Sequence, residues 1–247
     1  MINKISTGVE FIDKELGGLY QYGAYLLCGE RESGKTLLAS GFLAEGLKKH
    51  EMCLYITGEN AVSYINEIQN IMGFDFSMYL QQGLFNILQY EKPKEGSSSK
   101  LPQYFHEAGT FINGKGVERV VIDFSTVKDL LDEKKTEENI KDFIKFIERF
   151  HVTTVILLDK AASPEMSRIE RMLIKETVGT FRMEQKYSER SGRNFFEIEI
   201  EKTAGLYPPY PSWSFEVIKN EGFKLVVKRA GVDYSVIKDV KKVKGGG

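Results

Sequence analysis

The chain has 247 residues, 42% of them hydrophobic and 28% charged, with 34 Lys+Arg against 35 Asp+Glu. That length suits one large domain or two small ones and buries a substantial core without disulfide or metal staples. A net charge of −1 and a pI near 6.4 supply no basic field for a phosphate backbone, which disfavours nucleic acid as the main partner. Cys28 and Cys53 each lie in an apolar run with no CxxC spacing, so neither a disulfide framework nor a zinc site is indicated. The first six residues lack a signal-peptide apolar region, and runs such as 24–28 fall far short of the roughly 20 residues that span a bilayer. The expectation is a soluble, cytoplasmic protein whose only route to a membrane is through partners.

In chain order, Ser6-Thr7-Gly8-Val9-Glu10 opens a short amphipathic helix. Thr7 and Glu10 are spaced as a capping box, Phe11, Ile12 and Leu16 form the apolar side, and Gly17-Gly18 ends it. Residues 24–28 read as a buried strand running into a glycine-containing loop, and Leu38, Phe42, Leu43 and Leu47 carry helical spacing within 35–50. A strand over 52–57, a helix over 60–72 and a strand over 84–89 follow. The stretch 91–103, with Pro93, Gly96 and three consecutive serines, is read as a mobile surface loop.

Residues 101–112 are weakly helical, and 119–123 form a buried strand ending in an acid. Ile140, Phe143, Ile144, Ile147 and Phe150 mark one face of a helix, 152–158 is a further apolar strand, and Ser163-Pro164 signals a helix start. Beyond residue 178 the pattern turns strand-like, around 179–184, 194–201, 213–219 and 223–228. Strands alternating with helices predict an α/β fold: a mostly parallel central sheet, helices on both faces, and antiparallel C-terminal strands. One domain over 1–230 is expected, followed by a partly disordered, Lys-rich tail over 231–247.

Gly29-Glu30-Arg31-Glu32-Ser33-Gly34-Lys35-Thr36 fits G-x-x-x-x-G-K-[ST], with the strand before it and the helix after it that this motif requires. Random placement of these residue types predicts roughly 0.02 such matches, so a plain linking turn is a poor explanation. Glycines let successive backbone N–H groups curl around a β-phosphate, and the helix adds its positive end. Residues Gly29, Glu30, Arg31, Glu32, Ser33, Gly34, Lys35, Thr36 and Leu37 are therefore the candidate ATP-binding set. Lys35 would neutralise the β- and γ-phosphates and the Thr36 hydroxyl would hold Mg²⁺. Glu30 and Glu32 put repulsion into an anion-binding loop, offset in part by Arg31, and nothing in the sequence accounts for them.

Asp123 ends an apolar strand, and strand ends in parallel sheets open onto the ligand crevice, making it the candidate acid for Mg²⁺. The bland alternative is an Asp that forms a turn. Glu59 lies just past the strand ending at Thr57, where a carboxylate would orient and polarise a water attacking the γ-phosphate; its alternative is a solvent-facing acid that caps the next helix. His50, His106 and His151 have no metal spacing and read as surface or helix-end residues, and the two cysteines read as packing on neighbouring strands. Tyr207-Pro208-Pro209-Tyr210-Pro211 suits a partner-docking or adenine-covering loop and equally a rigid connection between edge strands. Trp213 reads as core and Asp132-Glu133-Lys134-Lys135 as a solvated turn.

Together these residues resemble a KaiC-type member of the RecA superfamily of P-loop ATPases. The resemblance runs from Ile5-Ser6-Thr7-Gly8-Val9-Glu10-Phe11-Ile12-Asp13 with Gly17-Gly18 through the phosphate loop. It continues through Tyr55-Ile56-Thr57-Gly58-Glu59-Asn60, Val121-Ile122-Asp123-Phe124-Ser125-Thr126 and Ser214-Phe215-Glu216-Val217. Within the family, Glu59-Asn60 and the segment ending Gly222-Phe223-Lys224 are similar to the KaiC-like subunit of the archaellum motor. The resemblance implies a RecA-like core, Mg²⁺–ATP at the phosphate loop, Glu59 as the water-activating residue, and often a homo-oligomeric ring of six with ATP between subunits. It also implies a cationic pair acting on a neighbour's γ-phosphate, and here the matching run is Lys202-Thr203-Ala204, with Lys202 kept and the Arg absent. An arginine on a transferring phosphate is worth several powers of ten in rate, so its loss predicts slow or absent hydrolysis.

The leading expectation is thus a weak ATPase, with Lys35, Glu59, Asp123 and Lys202 as catalytic candidates, whose nucleotide state regulates assembly or docking to a partner machine such as the archaellum motor. A recombinase-like protein handling single-stranded DNA needs basic loops that the pI does not supply. A KaiC-like autokinase needs a paired Ser-Thr acceptor that cannot be placed beside the site.

Overall fold

A strand in the middle of a parallel sheet has apolar neighbours on both faces, so it is apolar throughout rather than alternating. That rule selects the centre of this molecule, which is a computed structural model describing residues 3–90, 101–128, 130–131, 135–160, 164–189, 192–229 and 232–236. Strands β1 (Lys4–Ile5) and β2 (Leu19–Tyr20) pair with each other around helix α1 (Glu10–Leu16). Strand β3 (Ala24–Gly29) is buried along its whole length and leads into α2 (Lys35–Lys48). Then come β4 (Cys53–Thr57), α3 (Ala61–Met72), α4 (Phe76–Gln81), β5 (Phe85–Gln89), α5 (Leu101–Lys115), β6 (Arg119–Asp123), α6 (Phe124–Lys128) and α7 (Thr136–Arg149). The chain continues through β7 (Thr153–Asp159), α8 (Pro164–Glu176), β8 (Gly179–Ser188), β9 (Arg193–Thr203), β10 (Ser212–Ile218), β11 (Gly222–Arg229) and β12 (Val232–Val236).

The main sheet has the order β12-β11-β10-β9-β8-β3-β7-β6-β4-β5. Pairings from β8 through β3, β7, β6 and β4 to β5 are parallel, and those from β8 out to β12 are antiparallel. The expected parallel sheet with antiparallel C-terminal strands is therefore present. Alternation along β3 sorts the two cores: Tyr25 and Leu27 join the cluster with α1, α2 and α3, while Ala24, Leu26 and Cys28 join the one with α5, α7 and α8. Between β3 and β4 the chain crosses two intervening strands, β7 and β6, so the strand ends leave a crevice at the point where the order reverses. Among the described residues no helix is long and apolar enough to cross a membrane.

Several local readings are corrected. Helix α1 begins at Glu10 behind Val9, without a side-chain cap. Thr7 instead donates from its N–H and hydroxyl to Asp13 Oδ1 (2.7 and 2.9 Å) while its Oγ1 accepts from the Val9 N–H, so Asp13 takes the part expected of Glu10. Gly17 ends the helix at φ 68°, where glycine has no Cβ penalty. Cys28 and Cys53 are on strands separated by two others and in opposite cores; burial pushes the Cys28 thiol up to about 12. Leu101 to Gln103 belong to α5 rather than to the expected loop, whose remainder, 91–100, lies outside the described residues. So do Ser163, 132–134 of the expected turn, and all of the expected tail except Val232–Val236 in β12.

Arg119, the first residue of β6, is fully buried. Its guanidinium pairs with Glu51, donates to the Ser6 and Phe42 carbonyls (2.7 and 3.0 Å), and lies 4.7 Å over the Phe42 ring. A Cβ on Gly46 would stand 2.5 Å from Arg119 Cδ, so that glycine makes room for the side chain. One cation thus ties the N-terminal segment and α2 to the start of β6, an interior strand, at the end opposite the crevice. Arg119→Met leaves Glu51 and two carbonyls without their donor, a loss of about 3 kcal/mol. Calorimetry should read it as a fall in Tm of roughly 6–12 °C, and an unchanged midpoint would exclude this role.

Candidate functional site

The loop between β3 and α2 is shaped by close approaches that a side chain would block. A Cβ on Gly29 would lie 2.4 Å from the Met183 carbonyl and from Ser33 Oγ. Gly34, at φ 86°, precedes α2 with the Phe196 ring 2.8 Å from where its Cβ would be. Within this turn Lys35 is buried, 7% exposed, and its ammonium needs acceptors. Lys35 Nζ donates to the carbonyls of Gly29 (3.0 Å) and Glu30 (2.6 Å), contacts Ser33 Oγ at 3.4 Å, and pairs with Asp159 Oδ1 at 3.0 Å.

Asp159 ends β7 directly opposite Gly29 in register and also faces Arg31 Nε at 3.6 Å. The next residue, Lys160, donates from its N–H to the Gly29 carbonyl (2.8 Å) and from Nζ to Glu30 (3.1 Å). Glu30, which had no account in the sequence, therefore has a cation on the neighbouring strand end. Glu32 is exposed at φ 63°.

The crevice beside the loop has a volume of about 800 Å³, within the range of small-molecule sites. Lys35, Thr36, Glu59, Asp123 and Asp159 all line it. Glu59 follows β4 with its N–H donating to Thr57 Oγ1 (3.0 Å). Asn60, and not Glu59, caps α3, its Oδ1 accepting from the N–H groups of Val62 and Ser63 (3.0 and 3.1 Å). The helix-cap alternative for Glu59 is thereby removed. Partial burial, then the charges of Asp123, Glu67 and Asp159, push the Glu59 carboxyl above its ordinary range.

Asp123 Oδ1 accepts from the Ser125 N–H (3.0 Å) at the start of α6, as a turn-forming Asp does, and the residue also lines the crevice. Burial and the neighbouring Asp159 raise its carboxyl despite that hydrogen bond. A hydroxyl and a carboxylate lining a crevice with further acids are hard oxygen donors of the kind a divalent cation takes, so Thr36 and Asp123 fit Mg²⁺. Among the described residues no group of three or more His, Cys, Asp or Glu forms a metal cage. A magnesium ion here would depend on phosphate oxygens for the rest of its coordination.

Lys202 is not brought to this crevice within the chain. It sits at the end of β9, and Nζ donates to the carbonyls of Ile174 (2.8 Å), Lys175 (2.9 Å) and Thr177 (2.6 Å), closing the C-terminus of α8. Burial lowers its ammonium below the usual lysine range. Asp159 is the site residue that the sequence reading missed, although the strand 152–158 ending in an acid carries the same signal as Asp123. Gln185 and Phe196, from β8 and β9, also line the crevice and have no local signal at all. Tyr207 is exposed in the connection from β9 to β10, which are paired neighbours, and Trp213 packs 5.5 Å from Phe11.

Comparison with known proteins places this geometry. A stretch of 109 residues, 44% of the chain, is 34% identical to the circadian clock oscillator protein KaiC of Picosynechococcus sp., covering 21% of that protein. Another comparison gives 28% identity over 105 residues, 42% of the chain, to a UPF0273 protein of Pyrococcus horikoshii, covering 42% of it. The chain thus matches well under half the length of these relatives. The solved structure of a KaiC-like protein from Pyrococcus horikoshii superposes with a TM-score of 0.75 over 91% of this chain and 99% of that one; at 19% identity this bears on the fold alone. The family described as "ATPase: KaiC" matches residues 5–228, nearly the whole chain, and the protein accordingly belongs to the KaiC family of RecA-type ATPases.

Proposed function

We propose that this protein binds Mg²⁺–ATP at the loop 29–37, hydrolyses it slowly, and uses the bound nucleotide to control its own assembly and its docking to a partner machine. The observation that carries this reading is the convergence of Lys35, Thr36, Glu59 and Asp123, from three separate elements, on one crevice. The backbone N–H groups of the loop and the Lys35 ammonium bind the phosphates, and the positive end of α2 adds to their field. Mg²⁺ held by Thr36 and Asp123 supplies neutralisation of the charge on the transferring phosphate. Glu59, on the far wall, orients the attacking water and accepts its proton; a carboxyl raised above its ordinary range is a better match for that task near neutral pH.

Slow turnover follows from the run Lys202-Thr203-Ala204, where no arginine is present and the lysine is engaged by three carbonyls of its own chain. A ring of six, a cytoplasmic location and the archaellum motor as the partner machine extend this proposal from the family resemblance. No observation favours the recombinase or kinase alternatives.

Lys35→Ala should abolish adenine-nucleotide binding by calorimetry, while Glu59→Gln should keep binding and lose about 10²-fold or more in turnover; a parent-like rate in Glu59→Gln would exclude the base assignment. Sedimentation should give a larger mass with Mg²⁺–ATP than without, through the differential affinity of assembled and free chains. The same mass in both, with no nucleotide bound, would sink the proposal. Lys202→Met should lose about 1 kcal/mol of stability with the helix cap and keep the turnover of each folded molecule. A loss of turnover confined to the assembled form would instead put Lys202 on a neighbour's phosphate.

A further inference from the structure

We propose that Asp159 is a built-in competitor of the γ-phosphate, holding Lys35 until a triphosphate displaces it and so restraining the affinity for tri- relative to diphosphate. This inference rests on the nucleotide-binding reading above and adds a determinant to it. The geometry is that of an anion already in place. Asp159 Oδ1 lies 3.0 Å from Lys35 Nζ, on a lysine with only 7% exposure, whereas the Asp159 side chain is 51% exposed and reaches in from the tip of β7. A buried ammonium cannot be left without a counter-ion, and Lys35 is satisfied by a carboxylate and two carbonyls.

The exchange is reversible because neither partner is abandoned. When Lys35 turns to phosphate, Asp159 still has Arg31 at 3.6 Å. The β7 tip also stays joined to the loop by the Lys160 N–H on Gly29 and by the Lys160–Glu30 pair. Which phosphate is opposed follows from what else Asp159 faces. Asp159 lines the same crevice as Glu59 and Asp123, the residues proposed for the water and the magnesium at the terminal phosphate. The β-phosphate would instead be cradled by the loop's own N–H groups. A fixed carboxylate there repels a third phosphate more than a second one.

The test is equilibrium binding to the full chain of the Mg²⁺ complexes of the β,γ-imido analogue of ATP and of ADP, with Asp159→Asn and Asp159→Ser beside the parent. Removing the charge should tighten the triphosphate by about three- to fivefold, the upper scale of a half-exposed charge pair, and the diphosphate by less than about twofold. Asp159→Ser serves as the second variant should the amide disturb the loop, and the same pattern is expected. Equal gains for the two nucleotides, no gain, or weaker binding would overturn the inference, the last by making Asp159 a ligand rather than a competitor. A folded parent that binds neither nucleotide would overturn the functional reading itself, and the inference with it.

Discussion

An ammonium with 7% exposure cannot exist without anions around it, and Lys35 is that ammonium. Removing such a group from water costs several kcal/mol unless acceptors replace the water. Everything that gives the phosphate loop its form answers this demand. Gly29 has no side chain because the Met183 carbonyl stands where a Cβ would go, and that closeness lets the loop fold its own carbonyls inward onto Nζ. The aromatic ring of Phe196 seals the turn at Gly34. Asp159 completes the set from the next strand. A loop with these properties is an anion site whether or not a nucleotide is in it.

Strand order decides which carboxylates can reach that site. With β7 beside β3, then β6, then β4, the C-terminal ends present Asp159, Asp123 and, two residues past Thr57, Glu59, all lining the crevice. Each is a local event, an apolar strand ending in or just before an acid, but only the crossover from β3 to β4 over two strands makes them neighbours. The antiparallel hairpin of β8 and β9 adds Gln185 and Phe196 as a wall opposite the acids. The fold therefore supplies one cationic side of the crevice from a single loop and one anionic side from three separate strands.

What could be read in the sequence was whatever depends on near neighbours. The glycine loop, the alternating α/β order, Glu59 and Asp123 all announce themselves within a dozen residues. Asp159, at the end of an apolar strand, carries the same local pattern. Lys202 is different in kind: its partners are the last carbonyls of α8, 25 to 28 residues away in sequence, and only packing brings them together. The same holds for Phe196 over Gly34 and for Arg119 under Ser6. Helices α4 and α6, of six and five residues, are too short for a 3.6-residue period to show.

The charge balance of the crevice bears on what kind of ATPase this can be. Burial, then the charges of Asp123, Glu67 and Asp159, shift the Glu59 carboxyl upward, with Lys35 and Arg31 paired to Asp159 in the same crevice. A triphosphate entering such a place meets as much repulsion as attraction from side chains, so its affinity has to come from backbone N–H groups and from the magnesium it carries. The acids that disfavour the ground state are those proposed to hold the metal and the water, so the charges that restrain binding are the ones the proposed chemistry requires. A neighbour's arginine would tip that balance toward the transition state, and this chain has alanine at the matching position. With Lys202 bonded to the carbonyls that end α8, the proposed slow turnover has its physical basis in a crevice that draws on Lys35 and Arg31 of its own chain for cationic side chains at the phosphates.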